Sequence, residues 1–228
     1  MHVETHNALP DPRDSKRYFL ENTTTRKILT ASVRFGFYFI SKIETSGVGY
    51  FPAAGPVVTV ANHLTEYDVF PIQFVLPRLI FFMGKAELFA NPLVDPVFRR
   101  LGGFPVHRGE KDEWAARYSL QVLEKGEVLG IFPEGKRSRG HGLHTGKTGA
   151  ARFALAARAP IIPVGVEGTD EMFKYFPRRT PVHVRVGEPI HAMPGEAPIE
   201  LTDRMMFALA DLLPRRLRGV YSQRPPGF

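Results

Sequence analysis

The sequence predicts an α/β domain: a largely parallel, mixed sheet flanked by helices. Three observations lead there. Apolar runs of strand length alternate with helical patterns from residue 57 to about residue 212. Polar, glycine-bearing loops follow several of those runs, as they do at the carboxyl edge of a parallel sheet. A chain of 228 residues, 43% hydrophobic and 23% charged, suits one domain with a real core.

The first helical pattern is KILTASVRFGFYFI, residues 27–40. Its roughly 14 residues reach only ~21 Å as a helix, short of a ~30 Å hydrocarbon layer, so it is not expected to span a membrane. Thr30, Arg34 and Ser41 fall on one stripe, with Ile28, Phe35 and Phe39 turned away from it. Such a helix either packs on the core or lies in a membrane interface. Residues 1–44 are therefore set apart as an N-terminal helical segment, with the main domain at 45–228. The opening MHVETHNALPDPRDSK is too polar for a signal peptide.

VVTVAN (57–62) reads as a buried strand, DVFPIQFVL (68–76) as a short helix and LIFFM (79–83) as a second strand. LVDPVFRRLG (93–102) is helical but interrupted by Pro96, and FPVH (104–107) is a short strand. DEWAARYSLQVLEKG (112–126) places Trp114, Tyr118 and Val122 on one helical face and ends at Gly126. A strand VLGIF (128–132), a helix GAARFALAAR (149–158) and strands PIIPVGVEG (160–168) and VHVRVGEPI (182–190) follow. The last helix sets Leu201, Met205, Leu209 and Leu212 at helical spacing before the basic tail RRLRGVYSQRPP.

The absence of cysteine excludes a disulfide framework, thiolate zinc ligation and a cysteine nucleophile. A net charge of +7 points to an anionic partner. Nucleic acid, anionic lipid, a phosphorylated substrate and an acidic carrier protein all satisfy that charge. GLHTGKTGAARFALA (142–156) looks like a nucleotide phosphate loop, but the pattern needs glycine where His141 stands. A phosphate loop also follows its strand directly, whereas PEGKRSRGHGLH intervenes here. Lys147 and the helix behind it remain candidates for facing a phosphate of another kind.

The loops NHLTEYD, VHRGEK and PEGKRSRGHG are expected to meet at the sheet edge. His63 and Asp68 stand five residues apart, too far around one helix to touch, but they meet if a strand-to-helix turn lies between them. Asp68 then either fixes one tautomer of a general-base imidazole or simply caps the helix while His63 serves the turn. His63, Glu66 and Asp68 do not make a complete zinc ligand set.

NHLTEYD resembles the N-H-x4-D block of the glycerolipid acyltransferases, the family of 1-acylglycerol-3-phosphate acyltransferases. GGFPVHR (102–108), FPEGKRS (132–138) and IIPVGV (161–166) resemble that family's second, third and fourth blocks, in family order. The resemblance covers roughly residues 50–190 and implies a glycerol-3-phosphate acyltransferase-like fold with an N-terminal membrane-association segment. It implies that His63 deprotonates an acceptor hydroxyl while Asp68 orients it, with no covalent acyl-enzyme. Arg108, Glu134, Gly135 and Arg137 are the implied acceptor phosphate and glycerol site. Asn62, Lys85, Lys136, Arg139 and Lys147 are further candidates for substrate contact. Three positions depart from the family pattern: Lys136 for a threonine, His107 for an acidic or amide residue, and Glu66 within the histidine block.

The implied reaction moves a fatty acyl group from acyl-CoA or acyl carrier protein to 1-acyl-sn-glycerol-3-phosphate, giving phosphatidic acid. It calls for no metal or further cofactor and no nucleic acid. The implied location is the cytoplasmic face of the cell membrane, peripheral or monotopic, with the basic tail adding attraction to anionic lipid. The rivals are another lysolipid or glycolipid acceptor, and a non-catalytic lipid-binding module. Acceptor identity, chain length, donor carrier and oligomeric state are not encoded in these motifs.

Overall fold

The computed structural model describes residues 11–21, 23–109 and 111–225. The expectation for the first residues of the chain falls, for residues 1–10, outside the described part. Among the described residues, one seven-stranded sheet organises the chain in the order β1-β7-β6-β2-β5-β3-β4. The strands are β1 (Ser41–Ser46), β2 (Val57–Ala61), β3 (Ile80–Lys85), β4 (Phe104–Val106), β5 (Val128–Ile131), β6 (Ile161–Glu167) and β7 (Thr180–Val186). All neighbouring pairs are parallel except β6 with β7. The sheet is therefore largely parallel and mixed, as the alternating pattern predicts.

The centre of the sheet is β2, every residue of which is buried. Its faces divide the core in two. On one side Val58, Val60, Phe81, Leu129 and Ile161 pack under α4 (Glu113–Glu124), α5 (Gly149–Ala157) and α6 (Pro198–Asp211). On the other, Val57, Ile80, Val128 and Ile162 meet Ile72 and Leu76 of α2 (Val69–Val75) and its C-terminal end. Continuous apolar strands are what a sheet covered on both faces requires.

The helix α1 (Thr24–Ile40) starts three residues before the expected 27 and is capped by Thr23, whose hydroxyl accepts the Arg26 N–H. The placement against the core is partly realised. Phe37 is buried against Phe70 and Phe74 of α2, at ring distances of 5.0 and 5.4 Å. Ile28, Phe35, Tyr38 and Phe39 are exposed. The polar stripe does not survive as expected. Thr30 faces inward, Arg34 faces solvent, and Ser41 belongs to β1, where its hydroxyl donates to the Phe37 carbonyl. Buried Arg26 fastens the helix to the sheet. Its guanidinium donates to the Ile80 carbonyl at 3.2 Å and lies over the Phe81 ring. Gly102 makes the space, since a Cβ there would come within 2.4 Å of Arg26.

The boundary placed after residue 44 falls inside β1, which pairs with β7 from Ser41 to Ser46. SKIETS has too little apolar content for its strand to be read from pattern, because an edge strand exposes most of its side chains. The segment before α1 is also tied to the main body: Arg13 pairs with Asp112 at 2.6 Å and stacks over Trp114. Pro96 does not interrupt a helix; it sits in the first turn of α3 (Asp95–Arg100), where its missing N–H costs nothing. The basic tail folds back on the domain. Leu217 and Tyr221 are buried, Arg216 pairs with Glu167, and Arg224 pairs with Asp211.

Candidate active site

The sheet order explains which loops meet. Along the carboxyl edge the consecutive strands β6, β2, β5, β3 and β4 deliver Thr169, His63, Glu134, Lys85 and Arg108 in turn. Functional groups scattered over a hundred residues of sequence thus stand side by side.

The expected histidine–aspartate pair forms. His63 Nδ1 lies 2.8 Å from Asp68 Oδ2. Asp68 is 0% exposed, and although it sits at the start of α2 its side chain makes no capping bond. The simple cap reading is thereby overturned. Instead Asp68 accepts from the Thr65 N–H at 2.9 Å and from the Thr169 hydroxyl. A carboxylate so held accepts Nδ1–H and leaves Nε2 as the basic nitrogen of His63. The imidazole stacks on Phe132, centroids 4.0 Å apart and 15° from parallel, and Phe132 stacks in turn on Phe82. Gly130 leaves room for Phe82 to lean across β5, because a Cβ there would meet the ring at 2.5 Å.

Glu134 takes a different place from the one the family blocks imply. It is 3% exposed, and its two oxygens accept the backbone N–H groups of His63 at 3.0 Å and His144 at 2.9 Å. It locks the β2 turn to the loop after β5, a brace rather than a ligand for the acceptor. Burial pushes its carboxyl up to about 7, against the opposing pull of the His144 and His63 N–H groups. The Ser138 N–H closes the same junction by donating to the His63 carbonyl at 2.7 Å. Asn62 is also turned inward. Its amide bonds both the N–H and the carbonyl of Val166, joining β2 to β6 where the backbones leave the sheet.

The cations do gather. Lys85, Arg108, Lys136, Arg137 and Arg139 line one open basin of about 490 Å³, together with His141 and His144. Arg108 donates to the Gly135 carbonyl at 3.0 Å. Partial burial lowers the Arg108 pKa, neighbouring Arg137 adds to this, and Glu87 offsets it. No carboxylate pairs directly with Arg108 among the described contacts, so an anion would gain from meeting it. Arg137 is paired with Glu66 at 2.5 Å, which gives the unusual carboxylate in the histidine block a partner. Lys85 pairs with Glu87 at 2.9 Å. Lys147 lies beside Gly135 outside the basin lining, and its own N–H donates to the Pro133 carbonyl. His107 is exposed and uses its N–H on Asp112.

A second, apolar cavity of about 370 Å³ opens beside His63. Thr30 and Val33 of α1, Phe70 and Phe74 of α2, Phe82 and Phe98 form much of its wall. Lys85, Arg108 and Arg137 border both spaces, so the apolar chamber that His63 lines and the cationic basin meet along these three cations. Among the described residues no group of three His, Asp or Glu is placed to hold a metal.

Sequence reasoning missed Thr169 and the aromatic stack behind the imidazole. Thr169 was detectable as the polar residue after the strand 160–168, at the edge where the other loops were sought. Gly168 sets its position with φ +93°, and a Cβ there would meet the Pro181 carbonyl at 2.2 Å. Phe132 and Phe82 carried no signal, since aromatic residues in strands ordinarily pack in the core.

A buried histidine–aspartate pair on a largely parallel α/β sheet, beside an apolar chamber and a cationic rim, is an arrangement that can hold an amphiphile and move a proton beside it. The chain belongs to the acyltransferase family, whose model matches residues 42–167. It is 30% identical over 142 residues to the 1-acyl-sn-glycerol-3-phosphate acyltransferase of Bacillus subtilis, covering 61% of this chain and 69% of that protein. The enzyme of the same name from Borreliella burgdorferi is 31% identical over 136 residues, covering 58% of this chain and 54% of its own. The matched region thus spans from about half to about two thirds of these relatives. The fold is similar to that of the solved 1-acyl-sn-glycerophosphate acyltransferase of Thermotoga maritima. The TM-score is 0.68 at 24% identity, over 82% of this chain and 78% of that one.

Proposed function

We propose that the protein transfers a fatty acyl group from a thioester, acyl-CoA or acyl carrier protein, to the free hydroxyl of 1-acyl-sn-glycerol-3-phosphate. The observation that carries this reading is that the chamber lined by His63 joins the cationic basin at Lys85, Arg108 and Arg137. One accommodates a hydrocarbon chain, the other a phosphate monoester, and the base stands in the chamber wall. The names of the matched relatives agree with it.

In the proposed step His63 Nε2 takes the proton from the acceptor hydroxyl as its oxygen attacks the thioester carbonyl. The C–S bond then breaks, the ester remains, and the departing thiolate takes the proton from the imidazolium. Asp68 holds the imidazole and stabilises its charged form. The chain has no cysteine to carry an acyl-enzyme, which favours direct attack. Arg108, Arg137, Lys136 and Arg139 supply the acceptor phosphate site, with Arg108 and Arg137 nearest the chamber. The protein works at the cytoplasmic face of a membrane, where both donors are found, and α1 lays its exposed face of Ile28, Phe35, Tyr38 and Phe39 in the interface. No described helix is long and apolar enough to cross a membrane.

The test uses purified full-length protein, radiolabelled acyl-CoA or acyl carrier protein, and a panel of lysolipids. Lysophosphatidic acid should be acylated at least about tenfold better than monoacylglycerol or lysophosphatidylcholine, since a well-paired phosphate contributes more than ~1.4 kcal/mol. His63→Ala should lower turnover by about 10²–10⁴-fold. Equal use of acceptors without a phosphate monoester would refute the acceptor assignment, and wild-type turnover in His63→Ala would refute the base. Lipid binding without any transfer would favour a binding module.

A further inference from the structure

The segment between β6 and β7 is not accounted for by the chemistry. From Phe173 to Arg179 seven consecutive residues are exposed, and three of them, Phe173, Tyr175 and Phe176, are large aromatics. Phe176 is 69% exposed, as much as Phe35 on α1 at 68%. The remaining side chains include Lys174, Arg178 and Arg179, with no acid among the seven. Aromatic rings interleaved with cations are the composition of a surface that dips into anionic lipid headgroups.

The segment adjoins α1. The Arg179 guanidinium lies 4.2 Å over the Tyr38 ring, and its Nε donates to the Ser41 carbonyl at the end of that helix. It also reaches the chamber mouth, where Phe173 packs edge-on against Tyr67, a residue of the chamber wall, at 5.8 Å. Its other end begins at Thr169, which holds Asp68.

We infer that residues 172–179 form a second bilayer-contacting element which, with the exposed face of α1, seats the chamber mouth on an anionic membrane surface. This rests on the membrane-surface reading of α1 but goes beyond it. The interfacial contact has two parts joined through the Arg179–Tyr38 pair, and the cations that attract the bilayer come from this loop. The C-terminal tail supplies fewer, since Arg216, Arg218 and Arg224 are paired with acids, whereas in the loop Lys174 pairs with Glu171 and Arg178 and Arg179 have no acid partner among the described contacts.

The native chain has a single tryptophan, Trp114, which is buried, so Phe176→Trp adds a reporter on a quiet background. With vesicles of phosphatidylcholine containing phosphatidylglycerol, its emission should shift to the blue and be quenched by lipids brominated along the acyl chain. Separately, Tyr175→Ser/Phe176→Ser and Lys174→Gln/Arg178→Gln should weaken vesicle partition, each cation contributing about fivefold near such a surface. Turnover on a detergent-dispersed acceptor should stay unchanged in these variants, which shows that they fold. Phe35→Ser/Phe39→Ser serves as the α1 control. Loss of partition in that control with none in either loop variant would overturn the loop assignment and leave the α1 reading standing. Full partition in all of them would overturn both. A Phe176→Trp emission moved by acyl carrier protein but not by vesicles would overturn the lipid in favour of a protein partner.

Discussion

Replacing Glu134 by glutamine separates a brace from a ligand. Both carboxylate oxygens accept backbone N–H groups, from His63 at 3.0 Å and His144 at 2.9 Å. An amide offers one oxygen and one NH₂, so one of these buried donors must face another donor. One hydrogen bond is lost and one N–H left unpaired, a cost of roughly 1–3 kcal/mol. At about 2–4 °C per kcal/mol for a chain of this size, Tm should fall by roughly 3–10 °C. If the His63 backbone moves by as much as ~1 Å, kcat should fall by about 10²-fold. The acceptor KM should stay within about twofold, because the side chain does not reach the basin.

The pH dependence of the same variant has a definite sign. Burial pushes the Glu134 carboxyl from 4.5 to about 7, so the folded protein holds this proton more tightly than the unfolded chain. Stability from this group is fully present below about 4.5 and is lost as pH rises through about 7, by roughly 3 kcal/mol at most. The Tm difference between wild type and Glu134→Gln should therefore narrow between pH 5 and pH 8 in thermal melts. A rise in acceptor KM at unchanged kcat would show that Glu134 binds the acceptor after all. A gap that widens with pH would show that the fold favours the carboxylate.

Three further substitutions follow from the geometry. Thr169→Val removes the hydroxyl donor from Asp68, which orients the imidazole; kcat should fall by about tenfold with acceptor KM little changed. An unchanged kcat would mean that Thr169 only fills space. Glu66→Gln releases Arg137 and removes a carboxylate from the phosphate path, so acceptor KM should fall by a few-fold, the scale of an exposed ion pair; a rise would refute the placement of phosphate at Arg137. Val33→Phe fills part of the chamber from α1 and should shift a series of acyl donors toward shorter chains at similar overall stability, whereas an unchanged series would place the chain elsewhere.

The strands and helices that carry the chemistry were legible because buried parallel strands are apolar throughout and their loops are polar. β2 and the NHLTEYD loop are the clearest case. β1 was not legible, because an edge strand of SKIETS lacks a repeating apolar face. The antiparallel direction of β7 could not be read either, since VHVRV alternates identically in both directions. Within the site, identity and order of blocks located His63, Asp68 and the cations, but not which way a side chain turns. Glu134 and Asn62 both sit in polar loops, and both turn inward to satisfy backbone groups where strands end. That choice is made by unpaired N–H and carbonyl groups on β6 and on the loop after β5, which no linear motif displays.

The helix α1 is a partition wall with different rooms on its two sides. Thr30 and Val33 are panelling inside the apolar chamber, while Phe35 and Phe39 are the outer cladding. With a helix diameter of only ~10 Å, hydrocarbon outside and hydrocarbon inside would be separated by one thickness of chain. Arg26 bolts the wall to the sheet, and β1 follows it without a linker. Cutting away residues 1–44 would thus do more than remove an attachment to a surface: it would open the chamber and strip four of the six residues of an edge strand from the sheet.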